Sequence, residues 1–201
     1  MSRYRGPRVK VLRRLGCELP GFSRKRTARL TTPPGQQGFK RKRTSPYAER
    51  LQEKQKLRFN YGISERQMRR LFKLASRKRG DTGENLVSLL ETRLDNIVFR
   101  SGFAPTIPSA RQLVSHGHVL LNGRKTDIAS CQVRPGDVVM IRERSRSKKN
   151  VLEQISSFGL DAPSFISVDA KAFSATLVSA PDVSEFTLPI NTSLVVEFYS
   201  R

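Results

Sequence analysis

Leu86–Arg142, LVSLLETRLDNIVFRSGFAPTIPSARQLVSHGHVLLNGRKTDIASCQVRPGDVVMIR, is the stretch whose reading decides the fold. Leu86, Leu90, Leu94, Ile97 and Val98 lie on one helical stripe that ends near Gly102. Thr106 is placed to cap a second helix, Pro108 fits its first turn, and Ala110, Leu113 and Val114 form its apolar side, which Gly117 closes. The period then changes. His118–Leu121 reads as a strand, Asn122-Gly123 is the strongest short hairpin signal, and Arg124–Ile128 returns. Pro135-Gly136-Asp137 turns the chain into a buried strand, Val138–Ile141. Two helices packed on an antiparallel sheet are expected here, with Arg, Gln, His and Asn interleaved where a second surface faces outward. Apolar residues behind and guanidinium, amide and imidazole groups in front suit a reader of folded RNA.

Charge extends this reading toward the N-terminus. The chain has 201 residues, 38 Lys and Arg against 17 Asp and Glu, and a net charge of +21. Residues 1–80 hold 25 basic and 4 acidic residues, residues 81–150 hold 11 and 7, and residues 151–201 hold 2 and 6. A surface charged for solubility alone would mix signs throughout, whereas a one-sided block suits a polyanion. Nucleic acid is that polyanion by default, because each neutralised phosphate releases counterions.

The expected fold class is α+β: a basic extended N-terminal arm, a small helical domain, then an α/β RNA-binding module. The arm spans residues 1–46, where Pro20-Gly21 and Pro33-Pro34-Gly35 make long helices improbable and apolar surface is too scarce for folding alone. The helical domain spans 47–85. Tyr47–Asn60 is helix-rich, and Ser64 with Gln67 forms a capping box. Met68, Leu71, Phe72 and Ala75 then recur at helical spacing, with Arg66, Arg69, Arg70, Lys73 and Arg77 at the remaining positions. A membrane-surface helix is the rival for such a cationic pattern, but the apolar stripe is only as wide as a packed helix needs. Residues 80–85 are the expected hinge, and 86–191 the module. Beyond the basic connector at 145–150, Phe165–Asp169, Phe173–Val178 and Leu194–Tyr199 look like strands, and 192–201 is expected to return to the helical domain as a strand.

Several chemistries find no support. Cys17 and Cys131 form no CxxC pair, and four zinc ligands cannot be gathered locally, so no metal and no cofactor is expected. No apolar run approaches the roughly 20 residues of a membrane span. The opening MSRYRGPRVK lacks the apolar stretch of a secretory signal. Pro34-Gly35-Gln36-Gln37-Gly38 is not followed by a GK[ST] pair, so it lets backbone amides approach a phosphate without being a nucleotide loop. His116 and His118 are the only histidines, better suited to hydrogen bonding or stacking than to a metal.

The candidate RNA-binding residues follow from this pattern. In the arm they are Arg3, Arg5, Arg8, Arg13, Arg14, Gly35, Gln36, Lys40, Arg41 and Arg43. In the helical domain they are Lys54, Lys56, Arg58, Arg69 and Arg70. In the module they are Arg93 and Arg100, seven apart and so on one helical face, then Arg111 and Gln112 in the first turns of the second helix. His116, His118, Asn122, Gly123 and Arg124 complete the set. For Arg93 the competing expectation is a salt bridge with Asp95 or Glu91.

These residues carry a resemblance. Thr92-Arg93-Leu94-Asp95-Asn96, Phe99-Arg100-Ser101-Gly102, Ala110-Arg111-Gln112-Leu113-Val114-Ser115-His116-Gly117-His118-Val119 and Asn122-Gly123 resemble the RNA-binding module of the small-subunit ribosomal protein four family. Ser2–Pro7, the Pro34–Gly38 turn (with Gln37 where the family has His), Glu53–Arg58, Tyr61-Gly62 and Leu194–Arg201 extend it over nearly the whole chain, with 151–190 a weak match. The resemblance implies a structural protein of the bacterial-type small ribosomal subunit, in the bacterial cytoplasm or the plastid stroma. It implies partners: the 5′ domain of 16S rRNA, neighbouring proteins, especially small-subunit protein five, and mRNA near its entry path. Early rRNA binding that nucleates assembly and an effect on decoding accuracy are implied with them. Family members that bind zinc do so through four N-terminal cysteines, and this chain has only Cys17 there. The rival is an RNA pseudouridine synthase, which carries a similar module and whose short motif Arg93-Leu94-Asp95 echoes, but no large catalytic domain remains once arm and module are subtracted.

Overall fold

Apolar residues at helical spacing in the first 86 residues, and alternating ones after Gly117, give two different architectures. A computed structural model describes residues 4–25, 30, 32–36, 44–146, 162–181, 185–186 and 188–200. The chain divides into two compact units, Met1–Leu86 with Thr187–Arg201, and Val87–Phe186.

The first unit is helical. Helix α1, Arg8–Leu15, ends at Gly16 in the left-handed region at φ 63°. This corrects the expectation of an extended arm. Leu12, Leu15, Leu19 and Phe22 are buried, and Asn60 Oδ1 accepts from Gly21 N at 3.0 Å while Gln52 Nε2 donates to Leu15 O at 3.0 Å. Four apolar side chains at suitable spacing hold this part of the arm against the next helix. That helix, α2 (Pro46–Asn60), starts at Ser45, whose hydroxyl accepts from Ala48 N, with proline in the first turn. Helix α3, Glu65–Ala75, carries the capping box that Ser64 and Gln67 predict, and buries Met68, Leu71 and Ala75. Helix α4, Thr82–Glu91, begins where a hinge is expected. Asp81 Oδ2 accepts from Glu84 N at 2.9 Å and so supplies the cap.

The second unit holds α5 (Leu94–Arg100) and α6 (Ile107–Ser115), which pack on each other. A single helix through 86–101 is expected, but the chain breaks at Thr92–Arg93. The reason is competition for backbone groups: Val133 N donates to Thr92 O at 2.8 Å, Leu94 N to Cys131 O at 2.9 Å and Asp95 N to Ala129 O at 3.1 Å. Thr106 caps α6 as its position predicts, accepting from Ser109 N. The strands are β1 (Val119–Leu121), β2 (Arg124–Lys125), β3 (Val138–Ile141), β4 (Ile166–Asp169) and β5 (Ser174–Leu177), with the four-residue helix α7 (Glu143–Arg146) between β3 and β4. They form one antiparallel sheet in the order β2-β1-β3-β5-β4. Asn122 at φ 50° and Gly123 at φ 77° close β1 onto β2 in the primed turn their identities demand. β2 is shorter than the expected Arg124–Ile128, because pairing with β1 ends at Lys125.

The C-terminal segment departs from expectation most. Thr192–Ser200 is not a strand but a helix, α8. Asn191 Oδ1 accepts from Ser193 N at 3.0 Å and from Leu194 N at 3.4 Å, which starts a helix, and α8 then packs along α2 in the first unit. β-branched and aromatic residues suggest a strand, and the cap together with a helical partner overrides them. Close approach also needs Gly83, where an added Cβ would lie 2.9 Å from Thr192 Cβ.

Candidate nucleic-acid interface

The basic side chains fall into two groups, those held by acids or by backbone and those turned to solvent. In the first unit Arg5 and Arg14 are exposed. Arg8 is exposed too, with its guanidinium 5.6 Å from the Phe22 ring centroid and a hydrogen bond to Phe22 O at 3.2 Å. Arg13 is half-buried and donates to Thr32 O at 3.0 Å and Pro33 O at 3.2 Å, so it fixes the turn before Gly35. Gly35 (φ 107°) and Gln36 are exposed, and a Cβ at Gly35 would meet nothing within 4 Å, so another backbone or a phosphate can come close there. Arg3, Lys40, Arg41 and Arg43 lie outside the described residues.

Lys54 is not a surface residue as the sequence suggests. It is 5% exposed, bonded to Glu65 Oε2 at 3.0 Å, and its ammonium sits 4.6 Å from the Phe198 ring centroid. Lys56 is held by Glu53 at 2.5 Å and Arg58 by Gln55 Oε1 at 3.3 Å. On α3 the charge is open to solvent as well: Arg66, Arg70 and Lys73 are exposed, and Arg69 reaches only to 3.9 Å from Glu65. Burial pushes the Glu65 carboxyl up, but hydrogen bonds from Lys54 Nζ and Tyr199 Oη, with the Lys54 and Arg58 charges, hold it below the usual carboxylate range. Glu65 is thus committed to its own unit and leaves the arginines of α3 unneutralised.

The second unit repeats the division. Arg93 and Arg100 do not form an outward face. Arg93 precedes α5 as its N-cap, is 3% exposed, and grips both oxygens of Asp95 at 3.0 and 2.7 Å. Arg100 is 9% exposed and holds Glu91 at 3.2 and 2.9 Å, where Asn96 Nδ2 also donates at 2.7 Å. Both acids are themselves buried, Asp95 two residues after its arginine and Glu91 at the end of the preceding helix, so each charge needs its partner once the region packs. Arg111 bonds Asp95 Oδ2 at 3.1 and 2.7 Å with its side chain 12% exposed. The echo of a synthase motif has the same explanation: Asp95 is wholly buried between two guanidiniums and cannot meet a substrate.

The open surface of this unit comes from the last turns of α6 and the β1–β2 turn. Gln112 and His116 are exposed, and His118 Nδ1 lies 2.9 Å from Ser145 Oγ. The two imidazole rings are 6.0 Å apart. Gly123 and Arg124 are exposed at the tip. Asn122 spends one amide hydrogen and one oxygen lone pair on the fold: Nδ2 donates to Asp137 Oδ1 and Oδ1 accepts from Val138 N, both at 2.8 Å. The candidate set omitted Lys125, Arg134, Arg142 and Arg144, all exposed. Lys125 lies across the turn after α6, so near that a Cβ on Gly117 would fall 2.3 Å from its Cε. Adjacency to Arg124 was the available signal for Lys125. For Arg142, whose N–H donates to His118 O at 2.9 Å, only the strand pairing reveals the neighbourhood.

The family model described as Ribosomal protein S4/S9 N-terminal domain matches residues 3–91, and the one described as S4 domain matches residues 92–139. The chain is 55% identical to the small ribosomal subunit protein uS4 of Synechococcus elongatus and to that of Prochlorococcus marinus, over 100% of this chain and 99% of each relative. It is 54% identical to that of Acaryochloris marina over the same shares. Full-length similarity at this level, with both family models in order, establishes that the chain belongs to the small ribosomal subunit protein uS4 family.

Proposed function

We propose that the chain is a structural, non-enzymatic constituent of the small ribosomal subunit that binds 16S rRNA and acts at the ribosome of a bacterium or plastid. The finer reading is that it is a primary binder of the 5′ domain, nucleates subunit assembly, and affects decoding accuracy where it lies near small-subunit protein five and the mRNA entry path. The observation that carries the RNA reading is the segregation of charge. Glu65, Glu91 and Asp95 are each spent on internal partners, while Arg5, Arg14, Arg69 and Arg70 in the first unit and Gln112, His116 and Arg124 in the second face solvent. Excess cations without nearby acids favour a phosphate backbone, and a rigid small module presents amide and imidazole groups to an RNA shape.

The test is filter binding of the full chain to isolated 5′-domain RNA and to an unrelated structured RNA of equal length, across a salt series. The expected result is preference for the 5′ domain with a steep loss of affinity as salt rises, each phosphate contact adding roughly 0.7–0.9 to the logarithmic slope. Equal affinity for the two RNAs sinks the 5′-domain assignment. A slope of one or two contacts sinks the proposed role of the α3 arginines.

A further inference from the structure

No other asparagine of the chain than Asn122 precedes a glycine. Asn122 and Gly123 form the two-residue tip between β1 and β2, and both are exposed. This pair has its own reactivity. Gly123 carries no Cβ to shield its backbone nitrogen, and joining that nitrogen to Cγ of Asn122 closes an unstrained five-membered ring.

In the folded chain the amide is turned the other way. Nδ2 donates to Asp137 Oδ1 and Oδ1 accepts from Val138 N, both at 2.8 Å, while Asn122 N donates to Val138 O at 2.8 Å. Asp137 is fixed in turn, since its Oδ2 accepts from Arg134 N at 2.7 Å. The turn holds Asn122 at φ 50° and Gly123 at φ 77°. Ring closure must therefore break both side-chain bonds and swing Cγ back onto Gly123 N.

We propose that Asn122 is a deamidation site guarded by the closed turn, with Asp137 as the lock. Once the turn opens, a solvent base takes the proton of Gly123 N–H and the nitrogen attacks Cγ. The Cγ–Nδ2 bond breaks, and Nδ2 takes up a proton and leaves as ammonia. Water then opens the succinimide at either carbonyl, which leaves aspartate or isoaspartate at position 122. Both products put a carboxylate where an amide donated to Asp137, so a hydrogen bond is replaced by a repulsion between like charges. Isoaspartate also adds a backbone atom to a two-residue turn. A modified tip recloses poorly, and the exposed Arg124 beside it loses its placement. The modification thus marks chains whose β1–β2 turn has been open.

The experiment incubates the folded full chain and a synthetic peptide of residues 118–127 side by side at neutral pH. Mass spectrometry follows the mass gain at position 122, and an isoaspartyl methyltransferase with S-adenosylmethionine counts the isoaspartate. Asn191, exposed but followed by Thr192, gives the background in the same digest. The folded chain is expected to react roughly 5- to 150-fold more slowly than the peptide, the range that two hydrogen bonds supply. Asp137→Ala removes one of them and is expected to react roughly 2- to 12-fold faster than the wild type. Asp137→Asn keeps an acceptor for Nδ2 and is expected to retain the wild-type rate. Circular dichroism establishes that each variant is folded, and Asp137→Asn decides where Asp137→Ala is not. Asn122→Asp is expected to speed amide exchange in β1 and β2 at least roughly twofold. A peptide that does not react, a folded wild type that matches the peptide, or a folded Asp137→Ala at the wild-type rate overturns the proposal. So does a folded Asp137→Asn at the peptide's rate, and unchanged exchange in Asn122→Asp overturns the poor reclosing.

Discussion

Asp95 Oδ2 receives both Nε and a terminal nitrogen of Arg111, at 3.1 and 2.7 Å, while the same carboxylate is gripped by Arg93 from the other side. One wholly buried anion thus joins the break before α5 to the first turns of α6. The arrangement turns two arginines that a sequence assigns to RNA into parts of the scaffold.

Asp95→Ala should therefore be among the most damaging single changes in the second unit. It leaves two poorly solvated guanidiniums without their carboxylate, and breaking a buried pair costs about 3–5 kcal/mol. Urea denaturation followed by circular dichroism checks this. A loss below about 1 kcal/mol would mean that water reaches both arginines.

Removing a charge should affect RNA binding only where that charge is open. Arg69→Ala combined with Arg70→Ala is expected to lower the salt slope for 5′-domain RNA by about two contacts. Lys56→Gln, which loses a lysine already held by Glu53 at 2.5 Å, should leave the slope unchanged. Filter binding from low to high salt separates the two.

Asn122 and Asp137 couple a turn to pH. The Arg134 backbone N–H and the Asn122 amide, opposed weakly by burial, hold Asp137 below its ordinary value of 3.8. A depressed folded-state value means that the stabilisation is present above about 3.8 and is lost as pH falls through the lower folded value. Asn122→Ala should make the acid limb of the stability curve shallower. It should also cost about 1–2 kcal/mol at neutral pH from lost hydrogen bonds and the positive φ of 50°. Acid denaturation of both proteins tests the claim.

Tyr199 behaves oppositely. Burial first, then its hydrogen bond to Glu65, raises its phenol far above the ordinary value of 10. A raised folded-state value means that its stabilisation is complete below about 10 and is lost as pH rises beyond it, because the unfolded chain ionises first. Tyr199→Phe should cost about 1 kcal/mol at neutral pH and remove part of the alkaline instability. Thermal melts at pH 8 and pH 11 measure it.

Asn191→Ala should loosen α8. Removing an N-cap costs about 0.5–2 kcal/mol, and here the loss should appear as faster amide exchange in residues 192–200. Unchanged exchange would show that packing on α2 alone holds the helix.

Local signals were legible wherever a residue's neighbours in sequence are also its partners. The Ser64–Gln67 box, the Thr106 cap and the Asn122-Gly123 turn act within four residues, and each appears as its identity demands. The strands expected at Phe165–Asp169 and Phe173–Val178 appear as Ile166–Asp169 and Ser174–Leu177. The failures lie where distant groups compete. Leu86–Ser101 has a continuous helical stripe, yet backbone groups of residues 129–133 take over Thr92–Asp95. Leu194–Tyr199 has strand-forming residues, yet Asn191 and α2 make it a helix. The Arg8–Leu15 helix was hidden because Pro20-Gly21 and Pro33-Pro34-Gly35 suggested irregular chain, while four apolar residues from Leu12 to Phe22 had a surface to cover.

The amino-acid order sets the partner class, the α+β class and the membership of a ribosomal family, because net charge, hydropathy period and motif spacing are sums over neighbours and need no coordinates. Which arginine meets RNA is different. Arg93 and Arg124 are the same residue type in the same segment, and a buried Asp95 removes one while solvent surrounds the other. That choice depends on which carboxylate packing brings within about 3 Å, where losing water must be offset by a partner. Only the folded chain makes that pairing.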